Sequence, residues 1–275
     1  MNKKIDLKIL VQKVNSIAIE AGKAILYLYT HHNVETSEKS DHSPLTNADI
    51  EANKIIIERL NALALGMPIL SEETYLPDFK ERRAWDSYWL IDPLDGTSEF
   101  LKKNGEFTVN IALIRKNKPV LGVVYSPVFD VLYFASDQNG AYKSDTKNIK
   151  KIDSSKKTNF NSLIITCSRS HGAEESKTLT QKINNDTNKK ITFVPMGSSL
   201  KICLVAEGMA DIYPRLGPTS EWDTAAAHSI LNEAGGALLK NDGNAIEYNK
   251  KSGVLNPSFI AMSSESYKWA ISLIK

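Results

Sequence analysis

An α/β protein of mixed α+β type is what this sequence predicts, and three observations carry the prediction. Apolar residues recur every three or four positions through the opening segment, which reads as a helix. Short apolar runs separated by turn residues fill the middle and read as an antiparallel meander. Beyond them, helix-like and strand-like segments alternate to the end of the chain, the pattern of a layered α/β half. A length of 275 residues suits one large domain or two packed halves around a sizeable core.

Residues 5–30 form the first expected helix, with Leu10, Val14, Ala18, Ala21, Ile25 and Leu28 on one stripe and Gln12, Lys13, Asn15 and Glu20 opposite. A polar stretch follows, and a second helix is expected at 48–65, with Ile50, Ile57, Leu60 and Ala64 on one stripe and Thr46 or Asn47 as its cap. Apolar runs at 67–70 and 88–91 read as strands that each end at a carboxylate. The runs at 107–115, 120–126 and 131–134 make the meander. After Gly140 the chain turns rich in Lys, Asp, Ser and Asn until about residue 161, the candidate boundary between an N-terminal α+β half, 1–150, and a C-terminal α/β half, 151–275. In the second half strands are expected at 163–167, 191–194, 210–213, 237–239 and 259–262, with helices at 174–184, 198–207, 223–234 and 265–274.

Composition narrows the function classes. With 42% hydrophobic and 24% charged residues, intrinsic disorder is excluded. The longest run without Asp, Glu, Lys or Arg has 13 residues, Ser252 to Ser264, and a transmembrane helix needs about 20. Lys8, Asp6 and Lys13 interrupt any apolar signal-peptide core. Two cysteines, Cys167 and Cys203, are too few for a secreted disulfide framework, so a cytoplasmic protein is expected. A net charge of +2 gives no global attraction to a nucleic acid duplex or an anionic membrane. Peripheral attachment to the inner face of the cell membrane stays open, as does a homodimer. The five histidines show no zinc-ligand spacing with cysteine, and no Walker A string occurs.

The segment that carries chemistry is Asp92-Pro93-Leu94-Asp95-Gly96-Thr97, directly after an apolar strand. Two carboxylates three apart put acidic oxygens together where the chain turns. Pro93 fixes φ, and Gly96 permits a tight path. Hard cations such as Mg²⁺ take oxygen ligands of this kind, a few carboxylates plus water and substrate phosphate. At average residue frequencies the five fixed positions of this string match by chance at roughly one site in a million.

Residues 89–100, Trp-Leu-Ile-Asp-Pro-Leu-Asp-Gly-Thr-Ser-Glu-Phe, resemble the first signature of the inositol monophosphatase superfamily of Mg²⁺-dependent, lithium-sensitive phosphatases. Trp222-Asp223-Thr-Ala-Ala-Ala, followed by Gly235-Gly236, resembles its second signature. Ser71-Glu72-Glu73 is similar to the metal-binding glutamate segment, and the segment from Asp41 to Asp49 to an early Pro-x-Thr-x-x-Asp motif. Four motifs fall in the family's order from residue 41 to residue 236. The resemblance implies the sugar-phosphatase fold, a layered α-β-α-β-α sandwich, with the site between the halves: most metal ligands come from the first, Asp223 and the nucleotide pocket from the second.

By the same resemblance, Glu72, Asp92 and the Leu94 carbonyl would hold one Mg²⁺ and Asp92, Asp95 and Asp223 a second. Glu72, with waters, would hold a weaker third, which places it among the catalytic residues. Thr97 would touch the attacking water and relay its proton toward Asp49, and the Gly96 and Thr97 N–H groups would receive phosphate oxygens. Residues 104–114 and 213–223 resemble the CysQ-type 3′(2′),5′-bisphosphate nucleotidases. Ser168-Arg169-Ser170-His171 and Gly197-Ser-Ser-Leu-Lys201 match segments that line the nucleotide pocket in that group. Lys201 and Arg215 are therefore candidates for a second phosphate, and Ser168, His171 and Gly197 for the rest of a nucleotide bisphosphate. Leu216 stands where inositol-selecting members usually carry glutamate, which argues against inositol phosphates. The implied reaction removes the 3′-phosphate of adenosine 3′,5′-bisphosphate to give AMP. The alternatives are an inositol monophosphate or sugar bisphosphate phosphatase on the same metals, or a mainly non-catalytic, partner-binding member.

Overall fold

The computed structural model describes residues 5–31, 34–38, 44–155, 162–169 and 190–267. The opening stripe becomes helix α1 (Leu7–His31), whose buried positions include Leu10, Val14, Ala18, Ala21 and Ile25. Strands β1 (Thr36–Glu38) and β2 (Pro44–Thr46) pair as a small antiparallel ribbon in the expected polar stretch. Helix α2 (Asn47–Ala62) then starts on Thr46, whose hydroxyl accepts the Ala48 N–H at 3.2 Å.

Seven strands build the first sheet. They are β3 (Ile69–Ser71), β4 (Ser87–Asp95), β5 (Thr108–Arg115), β6 (Lys118–Ser126), β7 (Val131–Ser136), β8 (Ala141–Ser144) and β9 (Ile149–Ile152), side by side in that order. Only β3 and β4 run parallel; the rest is an antiparallel meander. The period-two alternation of β4 is buried on both faces, which explains its continuous apolar run. Trp89 and Ile91 pack toward α1 and α2. Tyr88 and Leu90 join the core on the opposite face.

A second sheet, ordered β11-β10-β12-β14-β13, comprises β10 (Ser162–Ser168), β11 (Lys190–Met196), β12 (Ile212–Arg215), β13 (Ala237–Lys240) and β14 (Phe259–Met262). Between the sheets lie helices α5 (Leu200–Ala206) and α6 (Glu221–Glu233), which pack on each other. The described layers thus run helix, sheet, helix, sheet. Helix α6 sits on β4–β7 so closely that Gly122 is required: a Cβ there would meet the Ala226 carbonyl oxygen at 2.1 Å.

Three features depart from the sequence reading, and two expected helices are not tested. Strand β4 does not stop before Asp92 but continues to Asp95 through an irregularity in its pairing with β5. A one-turn helix, α3 (Phe79–Arg82), fills the segment before β4. The stretch after Gly140 is not a linker at its start, since β8 and β9 extend the first sheet, and β9 straddles the expected boundary at 150. The expected helix at 174–184 and most of that at 265–274 lie outside the described residues; Ser264–Ser266 forms a single 3₁₀ turn.

Candidate active site

The site forms where β4 leaves the sheet. Asp92 and Asp95 still pair with Asn110 and Thr108 of β5, and the two residues between them bulge. The bulge brings the Leu94 N–H to Oδ1 of Asp92 at 3.1 Å and the Leu94 carbonyl to the Thr97 hydroxyl at 3.4 Å. Gly96 then turns the chain with φ of 94°, into the short helix α4 (Thr97–Leu101). That φ suits glycine, and a Cβ at this position would meet the Glu106 carbonyl oxygen at 3.2 Å.

Two helix starts supply the outlying acids. Asp49, in the first turn of α2, is buried; its Oδ2 accepts the Thr46 N–H at 2.8 Å and the Thr46 hydroxyl at 2.6 Å, and its Oδ1 faces Thr97 Oγ1 at 3.4 Å. Asp223, in the first turn of α6, accepts the Ser220 N–H on Oδ2 at 2.9 Å. Both helices therefore carry in the first turn an acid that completes the capping box, Asp49 with Thr46 and Asp223 with Ser220. Glu72 follows β3, and its N–H donates to the Ile91 carbonyl at 3.2 Å beside β4.

The charges of these acids act on one another. Burial, then the carboxylates of Glu72, Asp95 and Asp223, and a hydrogen bond with Glu72, push the Asp92 carboxyl well above the usual range. Burial and the neighbouring Asp95 and Glu72 carboxylates do the same to Asp223, against the Ser220 N–H and Arg215, which favour its anion. Asp92 and Asp223, which resist ionisation in this way, are matched by hard divalent cations. Among the described residues no three His, Cys, Asp or Glu side chains form a ready-made metal cage. The fit to Mg²⁺ therefore rests on this mutual electrostatic strain and on the all-oxygen donor set.

A cavity of about 350 Å³ opens beside the acids. Its lining includes the expected residues Asp95, Gly96, Ser168, Gly197, Lys201, Arg215 and Asp223. Lys201 is only 7% exposed, donates to the Ser198 carbonyl at 2.7 Å, and packs over the Tyr213 ring. Burial lowers its pKa, opposed by Asp95 and assisted by Arg215. Arg215 donates one Nη2 hydrogen bond to the Pro218 carbonyl at 2.9 Å, while its buried Nε has no partner. Leu216 is half exposed and stays out of the cavity lining. His171 lies outside the described residues.

Three polar residues at the site carry no role in the sequence reading. Ser199 donates its N–H to Oδ2 of Asp95 at 2.6 Å and its hydroxyl to the Asp223 carbonyl, so it joins acids from the two halves. Asn110 donates to both Asp95, at 3.2 Å, and Ser199, at 2.9 Å. Glu106 accepts from Arg169 and from the Gly197 N–H. Ser199 sits within the Gly-x-x-x-Lys segment, and Asn110 and Glu106 within residues 104–114; those strings were the available signal, but no spacing in them fixes a partner.

The chain matches the model of the inositol monophosphatase family over residues 7–274. It is similar to the 3′(2′),5′-bisphosphate nucleotidase CysQ of Salmonella typhimurium, with 44% identity over 91% of this chain and 98% of that protein. Among solved structures it resembles CysQ from Bacteroides thetaiotaomicron, a bacterial member of the inositol monophosphatase family, with a TM-score of 0.79, 38% identity, and coverage of 92% of this chain and 97% of that one. An IMPase/NADP phosphatase complexed with Mg²⁺ and phosphate shares the fold, with a TM-score of 0.73 at 19% identity over 92% of this chain and 90% of that one.

Proposed function

The chain belongs to the inositol monophosphatase family, and on that premise we propose that it is a Mg²⁺-dependent 3′(2′),5′-bisphosphate nucleotidase that converts adenosine 3′,5′-bisphosphate to AMP and phosphate. One observation carries the choice of substrate. A single cavity is lined by the acids Asp95 and Asp223 and by the cations Lys201 and Arg215, and the Arg215 Nε is a buried donor with no acceptor. Acids with their cations take the phosphate that leaves; Lys201 and Arg215 take the phosphate that stays.

Glu72, Asp92, the Leu94 carbonyl, Asp95 and Asp223 would hold two or three Mg²⁺. When bound, Mg²⁺ supplies Lewis acidity toward the phosphate oxygens and lowers the pKa of water. The Gly96 and Thr97 N–H groups receive phosphate oxygens. The Thr97 hydroxyl accepts a proton from the attacking water as it passes its own to Oδ1 of Asp49, the oxygen not engaged by Thr46. The water oxygen bonds to phosphorus as the P–O3′ bond breaks, the 3′-oxygen takes its proton from a solvent water, and Asp49 returns the relayed proton to solvent. Cys203 is a buried thiol, and two cysteines in 275 residues are too few for a secreted disulfide framework, which suits the reducing cytoplasm where we place the enzyme. No helix among the described residues is long and apolar enough to cross a membrane.

A phosphate-release panel tests the reading. Adenosine 3′,5′-bisphosphate, 3′-AMP, inositol 1-phosphate and fructose 1,6-bisphosphate are compared with and without Mg²⁺. The nucleotide bisphosphate is expected to have the highest kcat/KM; a preference for either sugar ester would overturn the substrate choice.

A further inference from the structure

Glu106 is 7% exposed, an unusual burial for a carboxylate unless it is paired. It lies just before β5, in the first half, yet the groups its side chain binds come from the second. Oε2 accepts the Gly197 N–H at 2.8 Å and Arg169 Nε–H at 3.0 Å, and Oε1 accepts Arg169 Nη2–H. Arg169 follows β10 and Gly197 follows β11, so one carboxylate gathers the ends of two parallel neighbours. The backbone is fitted as closely. A Cβ at Gly197 would meet the Glu106 carbonyl oxygen at 2.4 Å, and one at Gly96 would meet the same oxygen at 3.2 Å. Two residues beyond Gly197, Ser199 donates its N–H to Asp95.

We propose that Glu106 is a positioning residue for Asp95: by fixing Arg169 and the Gly197 N–H it holds the 197–199 turn where Ser199 orients the Asp95 carboxylate. The inference rests on the reading of Asp95 as a metal ligand, and it adds a residue that touches neither metal nor substrate. Oδ2 of Asp95 is engaged by Ser199 and Asn110, which leaves Oδ1 as the oxygen for a cation. If the 197–199 turn moves away, Asn110 alone fixes the carboxylate. Charged hydrogen bonds are the strong ones, so loss of the Glu106 charge is felt along this chain of contacts. Arg169 is the lesser anchor, because its side chain is 46% exposed and the Gly197 bond survives without it.

Mn²⁺ titrated into the substrate-free, full-length protein, with the free ion followed by electron paramagnetic resonance, separates this role from a purely structural one. Wild type, Asp95→Asn, Glu106→Gln and Arg169→Leu are compared, with thermal melting in parallel. Asp95→Asn is expected to weaken one class of ion. Glu106→Gln is expected to weaken that same class by about tenfold, the lower end of what a lost charged hydrogen bond produces, and to leave the other class unchanged. Arg169→Leu should have a smaller effect. Should Glu106→Gln fail to fold with its guanidinium partner unpaired, Glu106→Gln/Arg169→Leu carries the same comparison. Wild-type Mn²⁺ binding in the Glu106 variant, beside a loss in Asp95→Asn, overturns the proposal alone. If Asp95→Asn binds like wild type, the metal-ligand reading fails and takes the proposal with it.

Discussion

Thr97 Oγ1 lies 3.4 Å from Oδ1 of Asp49, while both donors of Thr46 hold Oδ2 of the same carboxylate. One oxygen starts helix α2 and the other faces the Thr97 hydroxyl, the proposed proton relay. The two jobs of Asp49 are therefore separable by mutation, because Thr97 touches only one of them.

Thr97→Ala should lower kcat by about 10²–10⁴-fold, the usual worth of a positioned proton relay, and leave the melting temperature near wild type. Asp49→Asn should lose similar activity and also about 1 kcal/mol of stability through its weakened cap. Thr97→Ser should retain most turnover. Parallel kinetics and melting curves check the pair; wild-type turnover in Thr97→Ala removes the relay.

Asp92→Asn should cost several orders of magnitude in kcat yet stabilise the protein in EDTA at neutral pH. The sign follows from the raised pKa of Asp92: between the unfolded and folded values only the unfolded chain is ionised, so folding weakens as pH rises through that window. An amide is neutral without taking up a proton, so the variant escapes this cost. Mg²⁺ should raise the melting temperature of the wild type and much less that of the variant. A variant less stable than wild type in EDTA contradicts this account.

Lys201→Ala and Arg215→Ala should each lower kcat/KM for adenosine 3′,5′-bisphosphate by about one to two decades, the worth of a charged hydrogen bond. Neither should much affect 3′-AMP, which has no second phosphate to lose. The quantity to measure is the ratio of bisphosphate to monophosphate turnover. An unchanged ratio in both variants would mean that neither cation reads the second phosphate.

Acid should destabilise the protein through His228. This imidazole is buried, exchanges a 2.9 Å hydrogen bond with the Tyr248 hydroxyl, and has its pKa lowered by burial to about 4. The unfolded chain takes up its proton near 6.5 and the folded one does not until about 4, so about 3 kcal/mol is lost as pH falls across that window. His228→Gln should flatten this part of the stability profile, as denaturant midpoints between pH 4 and 7 would show.

The legible parts of the molecule are those where one local rule decides. The α1 stripe declares its buried face through Val14, Ala18 and Ile25, and the Asp92–Thr97 string, by its residue types, announces a turn that offers paired carboxylates to a hard cation. Strand β9 was hidden because an edge strand carries little apolar signal: Lys150 and Lys151 are exposed, and only Ile152 is buried; β8, inside the sheet, was hidden because Ala141 is the one buried residue of its four. The end of β4 was hidden because its last residues are held by long-range partners, Asn110 and Thr108, rather than by their own periodicity. Ser199 and Glu106 were hidden for the same reason, since a hydrogen bond across the two halves leaves no spacing in the chain.

The seat of α6 on Gly122 sets an order of events during synthesis. Strands β4–β7 emerge from the ribosome well before Glu221–Glu233, and until then Ala112, Ile114, Val124, Tyr133 and Ala135 lack the helix that completes their core. The nascent chain thus carries a half-covered, adhesive sheet for that interval. Covering the sheet and delivering Asp223 are the same docking step, because one helix does both. With Asp223 in its proposed role as a metal ligand, a chain stalled or truncated before α6 should be silent rather than a weak, unregulated hydrolase.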